Sequence, residues 1–282
     1  MTDVALRALD RADLAAVHAL SQEAGWPHRV EDWRFALDVG SGVVAMRDDG
    51  SLVGSAMAWR FGPDVGTVGM IIVSRAMRSR GLGRRLLRHA VTAFGAGALE
   101  LNATAAGLAL YASEGFAETG RVVRQHQGLL QPVMPLRADD VELRPAAPDD
   151  PAILALDREA YGADRGRAFR RLPAETEARI AWRHGAPAGF ALCRPFGRGH
   201  VVGPVVAPDD SLAAALASAL LEQLAGRFVR MDLMDGEDAL AGLVQASGLA
   251  PVEPVVTMRR GDRPEPEAGT VRTFALLNQA MG

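Results

Sequence analysis

Apolar residues recur along the chain with two periods. Val4-Ala5-Leu6-Arg7 reads as a short strand, and from Asp10 to Ala24 the apolar residues Leu14, Val17, Ala19 and Leu20 fall at helical spacing until Gly25 ends the run. A second short helix is predicted over Glu31 to Val39. Three strands follow at Gly42 to Arg47, Leu52 to Phe61 and Thr67 to Val73, the first two joined by Asp49-Gly50, residues that tolerate the positive φ of a hairpin turn. A Gly-rich turn then leads into an Arg-rich helix from about Gly83 to Phe94 and a strand at Leu99 to Asn102. A helix ending near Gly115 and a returning strand at Arg121 to Leu129 complete a mixed α/β arrangement rather than a plain βαβ series.

Residues 131–140, from Gln131-Pro132-Val133 to Asp139-Asp140, break both periods and read as a linker. Beyond them the signals repeat. Glu142-Leu143-Arg144 echoes Ala5-Leu6-Arg7, Gly203-Pro204-Val205-Val206-Ala207 echoes Gly69-Met70-Ile71-Ile72-Val73, and Gly248-Leu249 echoes Gly115-Phe116, at a nearly constant offset of one domain length. The expected organisation is a first domain over 1–130, a linker over 131–140 and a second copy over 141–282. In that copy Val271 to Met281, with Phe274, Leu276 and Leu277, is expected to form a final helix.

Composition narrows the classes. At 282 residues, 49% of them hydrophobic and 23% charged, the chain can bury two cores. Its net charge of −3 argues against a nucleic-acid partner, although every basic residue is Arg, a side chain suited to gripping phosphates. The lone Cys193 has no partner for an intrachain disulfide and fits a reducing compartment. Met1 to Arg7 lack a basic segment followed by an apolar run, so export is not expected and the cytoplasm is the expected location. The greasiest stretch, Leu212 to Leu221, is too short to cross a bilayer, so no membrane association is expected.

The most informative stretch is Gly69 to Leu87, which reads strand, turn, helix. Gly81 and Gly83 lack Cβ atoms where the backbone turns, so consecutive N–H groups can face one concavity, to which the new helix adds its positive end. Arg78, Arg80, Arg84 and Arg85 surround the same point. The third glycine of a dinucleotide fingerprint and the Gly-Lys-Ser/Thr ending of a nucleotide-triphosphate loop are both absent. The stretch resembles instead the acyl-CoA-binding motif of the GNAT superfamily, Gln/Arg-x-x-Gly-x-Gly/Ala after a strand, which Arg78, Gly81 and Gly83 fill completely. The resemblance runs in element order from Val4 to about Leu130. It implies two tandem folds, each a central mixed, mostly antiparallel sheet flanked by helices, with acetyl-CoA as co-substrate. The implied contacts are the backbone of Ile72 and Val73 on a splayed strand, then Arg78, Ser79, Arg80, Gly81, Leu82, Gly83, Arg84 and Arg85. A main-chain N–H at Ile71 or Ile72 is implied to polarise the thioester carbonyl, as in an oxyanion hole.

Leu99 to Phe116 resembles the next landmark of that family, a helix with Tyr shortly before Gly-Phe. Tyr111 fills the place and is implied to protonate the departing CoA thiolate. Thr104 stands where many members carry Asn. The base that frees the attacking amine is left open among Glu23, His28 and His126, and Trp26 and Trp33 are either an aromatic wall for the acceptor or core anchors. No paired Cys or His spacing suggests a metal, and no Gly-x-Ser-x-Gly elbow suggests a covalent intermediate. The reading is an N-acetyltransferase transferring directly to the primary amine of a small molecule; the alternatives are a non-catalytic acyl-CoA-binding module and a protein N-acyltransferase. The second copy is expected to be degenerate, since Pro204 deletes a backbone donor and Pro208-Asp209-Asp210 stands where glycines and positive charge are needed.

Overall fold

The computed structural model describes residues 4–234, 239–263 and 271–282. Met1 to Asp3, part of the stretch read for a leader, lie outside them. In chain order the first elements are β1 (Val4–Ala8), α1 (Leu14–Glu23), α2 (Val30–Val39), β2 (Ser41–Arg47), β3 (Leu52–Arg60), β4 (Val65–Val73), α3 (Leu82–Phe94), β5 (Ala98–Ala103) and α4 (Leu108–Ser113). Then come β6 (Ala117–Leu129), β7 (Val141–Ala146), α5 (Pro151–Tyr161), the single turn α6 (Gly166–Phe169), β8 (Glu177–Arg183), β9 (Ala186–Phe196), β10 (Gly199–Ala207) and α7 (Asp210–Leu221). The last are β11 (Phe228–Met234), α8 (Ala239–Ala246), β12 (Ala250–Pro251), β13 (Val255–Arg260) and β14 (Arg272–Ala275). The architecture is the expected mixed α/β class with mostly antiparallel strands flanked by helices.

The chain divides into two compact units that do not follow the expected cut at 131–140. Unit 1 comprises Met1–Thr119, Thr257–Arg263 and Met281; unit 2 comprises Gly120–Val256, Pro264–Ala280 and Gly282. In unit 1 the strand order is β1-β2-β3-β4-β5-β13, antiparallel from β1 to β4 and parallel between β4 and β5. The apolar stripe of α3, formed by Leu82, Leu86, Leu87, Ala90 and Phe94, is buried against Val43, Ala45, Val53, Ala56 and Val68 of the sheet. Burying such side chains contributes about 1.5–3 kcal/mol each. That stripe fixes the helix whose first turn forms one side of the site.

The strand at 121–129 was expected to close the first domain. It is instead part of the 13-residue β6, which from Gly120 onward belongs to unit 2 and pairs with β11 from Val123↔Met234 to Leu129↔Phe228. The place beside β5 is taken by Thr257–Arg260 of β13. Polar chemistry selects that strand: Arg259 Nε and Arg263 Nη1 each donate at 2.8 Å to the buried Glu100 carboxylate, and Thr257 Oγ1 donates at 2.8 Å to Asn102 Oδ1. A carboxylate on a buried strand needs such partners. Apolar alternation alone does not distinguish the two candidate strands.

In unit 2 the order is β6-β11-β14-β10-β9-β8-β7, with β12 also on β6. Helix α7 is buried along most of its length and packs on β8, β9 and β10, which explains the Ala-rich greasy stretch as a core helix. The expected linker is part of this unit: Leu136 N donates to Ser218 Oγ at 2.8 Å and Gln131 N to Ser247 O at 2.9 Å. The expected C-terminal helix is absent. Residues Arg272–Ala275 form β14, with Phe274 and Ala275 buried, because the diverging strands β10 and β11 offer unpaired backbone groups that a strand satisfies and a helix cannot. No helix among the described residues is long and apolar enough to cross a membrane.

Candidate active site

The site of unit 1 begins where β4 and β5 part. They pair in parallel over Val65↔Ala98, Gly66↔Leu99 and Thr67↔Glu100 only, although β4 continues to Val73 and β5 to Ala103. A bulge lies in the departing segment. The register between β3 and β4 shifts between Ser55↔Ile72 and Met57↔Gly69, so Met70 and Ile71 together face Ala56; Met70 takes φ 49°, and Ser55 Oγ donates to Met70 O at 3.0 Å.

The bulge decides which backbone groups face the gap. Phe61 N donates to Val65 O at one end and Ser74 N to Val53 O at the other, each marking a hydrogen-bonded pair of the β3–β4 ladder. Because sides alternate along a strand, Ile72 directs its N–H and C=O toward β3. Ile71 and Val73 direct theirs to the side that β5 has left. Of the two residues left open by the sequence, Ile71 has the gap-facing N–H.

Past Val73 the chain makes a 3-10 turn at Arg75–Met77, and two left-handed residues, Ser79 (φ 61°) and Gly81 (φ 76°), bend it into α3. Nothing lies within 4 Å of where a Cβ on Gly81 would stand, and no acidic residue occupies the first turn of α3. Its first N–H groups stand at the positive end of the helix, beside the space that the described residues leave open at Gly81. A Cβ on Gly83 would stand 3.7 Å from both Val73 Cγ2 and Leu110 Cδ2, so the end of β4, the start of α3 and helix α4 converge there.

The arginines divide by role. Arg78 folds back to donate from Nε to Val73 O at 3.3 Å, and Arg80 is exposed at the turn. Arg85 donates to Val4 O at 2.8 Å, while Arg84 pairs with Glu114 at 3.0 Å and donates to Ser113 Oγ at 3.1 Å. Arg88 also pairs with Glu114, at 2.7 Å, and its hydrogen bond holds that carboxyl below the usual range. Arg84 and Arg85 thus lock α3 to its neighbours. Glu114, which ties α4 to α3, was missed because nothing in the apolar pattern distinguishes it from a solvated residue.

Helix α4 carries Tyr111. Its ring lies edge-on to Phe116, with centroids 6.3 Å apart at 65°, and burial raises the phenol pKa above its ordinary value. Thr104 is exposed in the turn before α4, where its carbonyl accepts from Gly107 N at 2.8 Å.

A model of the acetyltransferase (GNAT) family matches residues 8–116, and one of the acetyltransferase (GNAT) domain matches residues 153–272. The chain belongs to the GNAT acetyltransferase family. It is a tandem GNAT chain and an acyltransferase by type. It is 26% identical over 269 residues, 93% of each chain, to the uncharacterized N-acetyltransferase YitH of Bacillus subtilis (strain 168). Its fold is similar to that of a candidate acetyltransferase from Pyrococcus horikoshii, with a TM-score of 0.77 at 20% identity over 99% of this chain and 96% of that one. It is also similar to a tandem GNAT protein from the clavulanic acid biosynthesis pathway, with a TM-score of 0.64 at 18% identity over 93% and 100%.

On the acceptor side of the GNAT unit, the expected residues separate. Glu23 Oε1 accepts from Arg75 N at 2.7 Å and Ser74 Oγ at 3.2 Å, bracing the turn after β4. Trp26 and His28 are half-buried with ring centroids 5.7 Å apart. Trp33 is 0% exposed and donates from Nε1 to Ser21 Oγ, so it is a core anchor and not a wall. His126 is buried on β6 opposite Met231, in unit 2, where desolvation lowers its pKa. Its register partners are Met231 of β11 and Pro251 of β12. Cys193 is buried, which pushes its thiol up to about 12 and leaves it unreactive. Among the described residues no group of three His, Cys, Asp or Glu is placed to hold a metal.

Proposed function

We propose that unit 1 transfers the acetyl group of acetyl-CoA to the primary amine of a small molecule by direct attack within a ternary complex. The observation that carries this reading is the gap between β4 and β5 beyond Thr67, bordered by the edge of Ile71 and Val73 that β5 has left and ending at the Gly81 turn. The pantetheine arm pairs with the backbone of Val73, and the pyrophosphate sits on the first N–H groups of α3 beside Arg78 and Arg80. The Ile71 N–H lies toward the thioester oxygen and stabilises the charge that develops there. The amine nitrogen bonds to the carbonyl carbon and gives up one proton to solvent water, the C–S bond breaks, and the leaving sulfur takes the Tyr111 proton. Water restores that proton from the open end of the gap. Glu23 and His28 are the base candidates inside unit 1, and Glu23 already holds the turn after β4.

Gly81→Val tests the cofactor half of the reading. A β-branched residue strains the left-handed φ of 76° and fills the open space before α3, while the apolar stripe of the helix is untouched. CoA affinity is expected to fall at least about tenfold in a folded protein; calorimetric titration giving the native affinity in a folded variant would sink it. Incubating the native chain with acetyl-CoA and a panel of amines tests the other half. CoA release matched by acetylated amine is expected, and binding without transfer to any amine would make unit 1 a binding module.

A further inference from the structure

We propose that Gly107 is a positioning residue that sets the direction of the Tyr111 hydroxyl by giving its ring a flat backbone surface to lie on. This rests on the reading of Tyr111 as the leaving-group acid. Gly107 opens α4 with φ −91° and ψ −22°, a conformation open to every residue, so glycine is not there for its backbone freedom. A Cβ on it would stand 2.6 Å from Tyr111 Cε2, 3.3 Å from Cδ2 and 3.4 Å from Cζ. The contact follows from helix geometry: side chains lean toward the N-terminus, so the ring at position 111 lies over the residue one turn earlier. Phe116, 3% exposed and held by its N–H on Tyr111 O at 3.1 Å, abuts the ring edge-on. Ordinary carbon contacts need about 3.5 Å, so a methyl group at 107 forces the ring to move by roughly 1 Å.

Unit 2 supplies an internal control. Leu249 N donates to Val244 O at 3.3 Å, the counterpart of Phe116 N on Tyr111 O, so Val244 stands in the place of Tyr111 and Leu240 in the place of Gly107. Where the ring is absent, the flat residue beneath it is absent too.

The test compares Gly107→Ala, Tyr111→Phe and the double variant. The chain has two tyrosines, Tyr111 and Tyr161, so 3-fluorotyrosine labelling gives two 19F resonances, and Tyr111→Phe identifies which belongs to Tyr111. Gly107→Ala is expected to move that resonance alone and to lower kcat about tenfold, since a 1 Å misplacement of a reacting group costs up to about 10². CoA affinity should stay within about twofold, and the double variant should be no slower than Tyr111→Phe, because a displaced ring without its hydroxyl has nothing further to lose. Gly107→Ser, which places the same Cβ on a residue favoured at a helix start, should reproduce the effect if the Ala variant folds poorly. An unmoved resonance, an unchanged kcat, or additive losses in the double variant would overturn the role of Gly107. Native turnover in Tyr111→Phe would overturn the acid itself, and is separately visible.

Discussion

Tyr111→Phe is expected to turn over acetyl-CoA about 10²-fold or more slowly than the native chain while binding CoA within about twofold. The substitution removes one oxygen and keeps the ring, so the edge-on contact with Phe116 and the seat on Gly107 both survive. What is lost is the proton that the departing sulfur takes. Burial raises the phenol above its ordinary pKa of 10.0, so its proton is present throughout the neutral range and is lost only at higher pH. The sign follows: the Tyr111 contribution to kcat is full below that raised pKa and disappears above it. The native profile should therefore fall on its alkaline limb, and the Phe variant should be low and lack that limb. A stopped assay of CoA thiol release across the pH range measures both. If the Phe variant matches the native enzyme at every pH, Tyr111 is a packing residue of the unit 1 core.

The parts of this site that could be read in the sequence are those built by local rules. Glycines at 81 and 83, arginines around them and an apolar stripe from Leu82 to Phe94 specify a turn into a helix without reference to any other segment. The departure of β5 from β4 is not local. Nothing in Val65 to Val73 marks Thr67 as the last paired residue, and the bulge uses a positive φ at Met70, a residue whose type gives no warning of it. That bulge is what separates Ile71 from Ile72. Strand partnership was hidden for a related reason: β6 and β13 are both strands of suitable length, and the choice between them beside β5 rests on Glu100 meeting Arg259 and Arg263, some 160 residues away. Trp33 was ambiguous because an indole serves equally in a wall or a core, and its bond to Ser21 depends on the packing of α1 on α2.

Titrating CoA into the intact chain is expected to give one site per chain, and Gly81→Val is expected to lessen all of the signal rather than half of it. Unit 2 repeats the geometry that opens the gap in unit 1. Strands β10 and β11 pair in parallel over His200↔Val229 and Val201↔Arg230 only, and the β9–β10 register shifts between Val202 and Val205. Here the chain fills its own gap. Strand β14 pairs with β10 at Val205↔Ala275, Val206↔Thr273 and Ala207↔Arg272, and with β11 at Leu233↔Ala275. A Cβ on Gly203 would collide with Leu276 O, which measures how closely the strand is seated. Leu276 N donates to Asp232 O at 2.9 Å and Gln279 N to Asp232 Oδ2 at 3.0 Å, so the backbone beyond β14 is held as well. The groups that a pantetheine arm would need are thus already bonded, and a ligand must break them to enter. At the helix that follows, Asp209 caps α7 by accepting from Leu212 N at 2.8 Å, placing a carboxylate where a pyrophosphate would sit. Val244 in the place of Tyr111 removes the acid. Two equivalent sites, or a Gly81→Val variant that retains half of the native binding, would mean that β14 yields to CoA and that unit 2 is a working cofactor site.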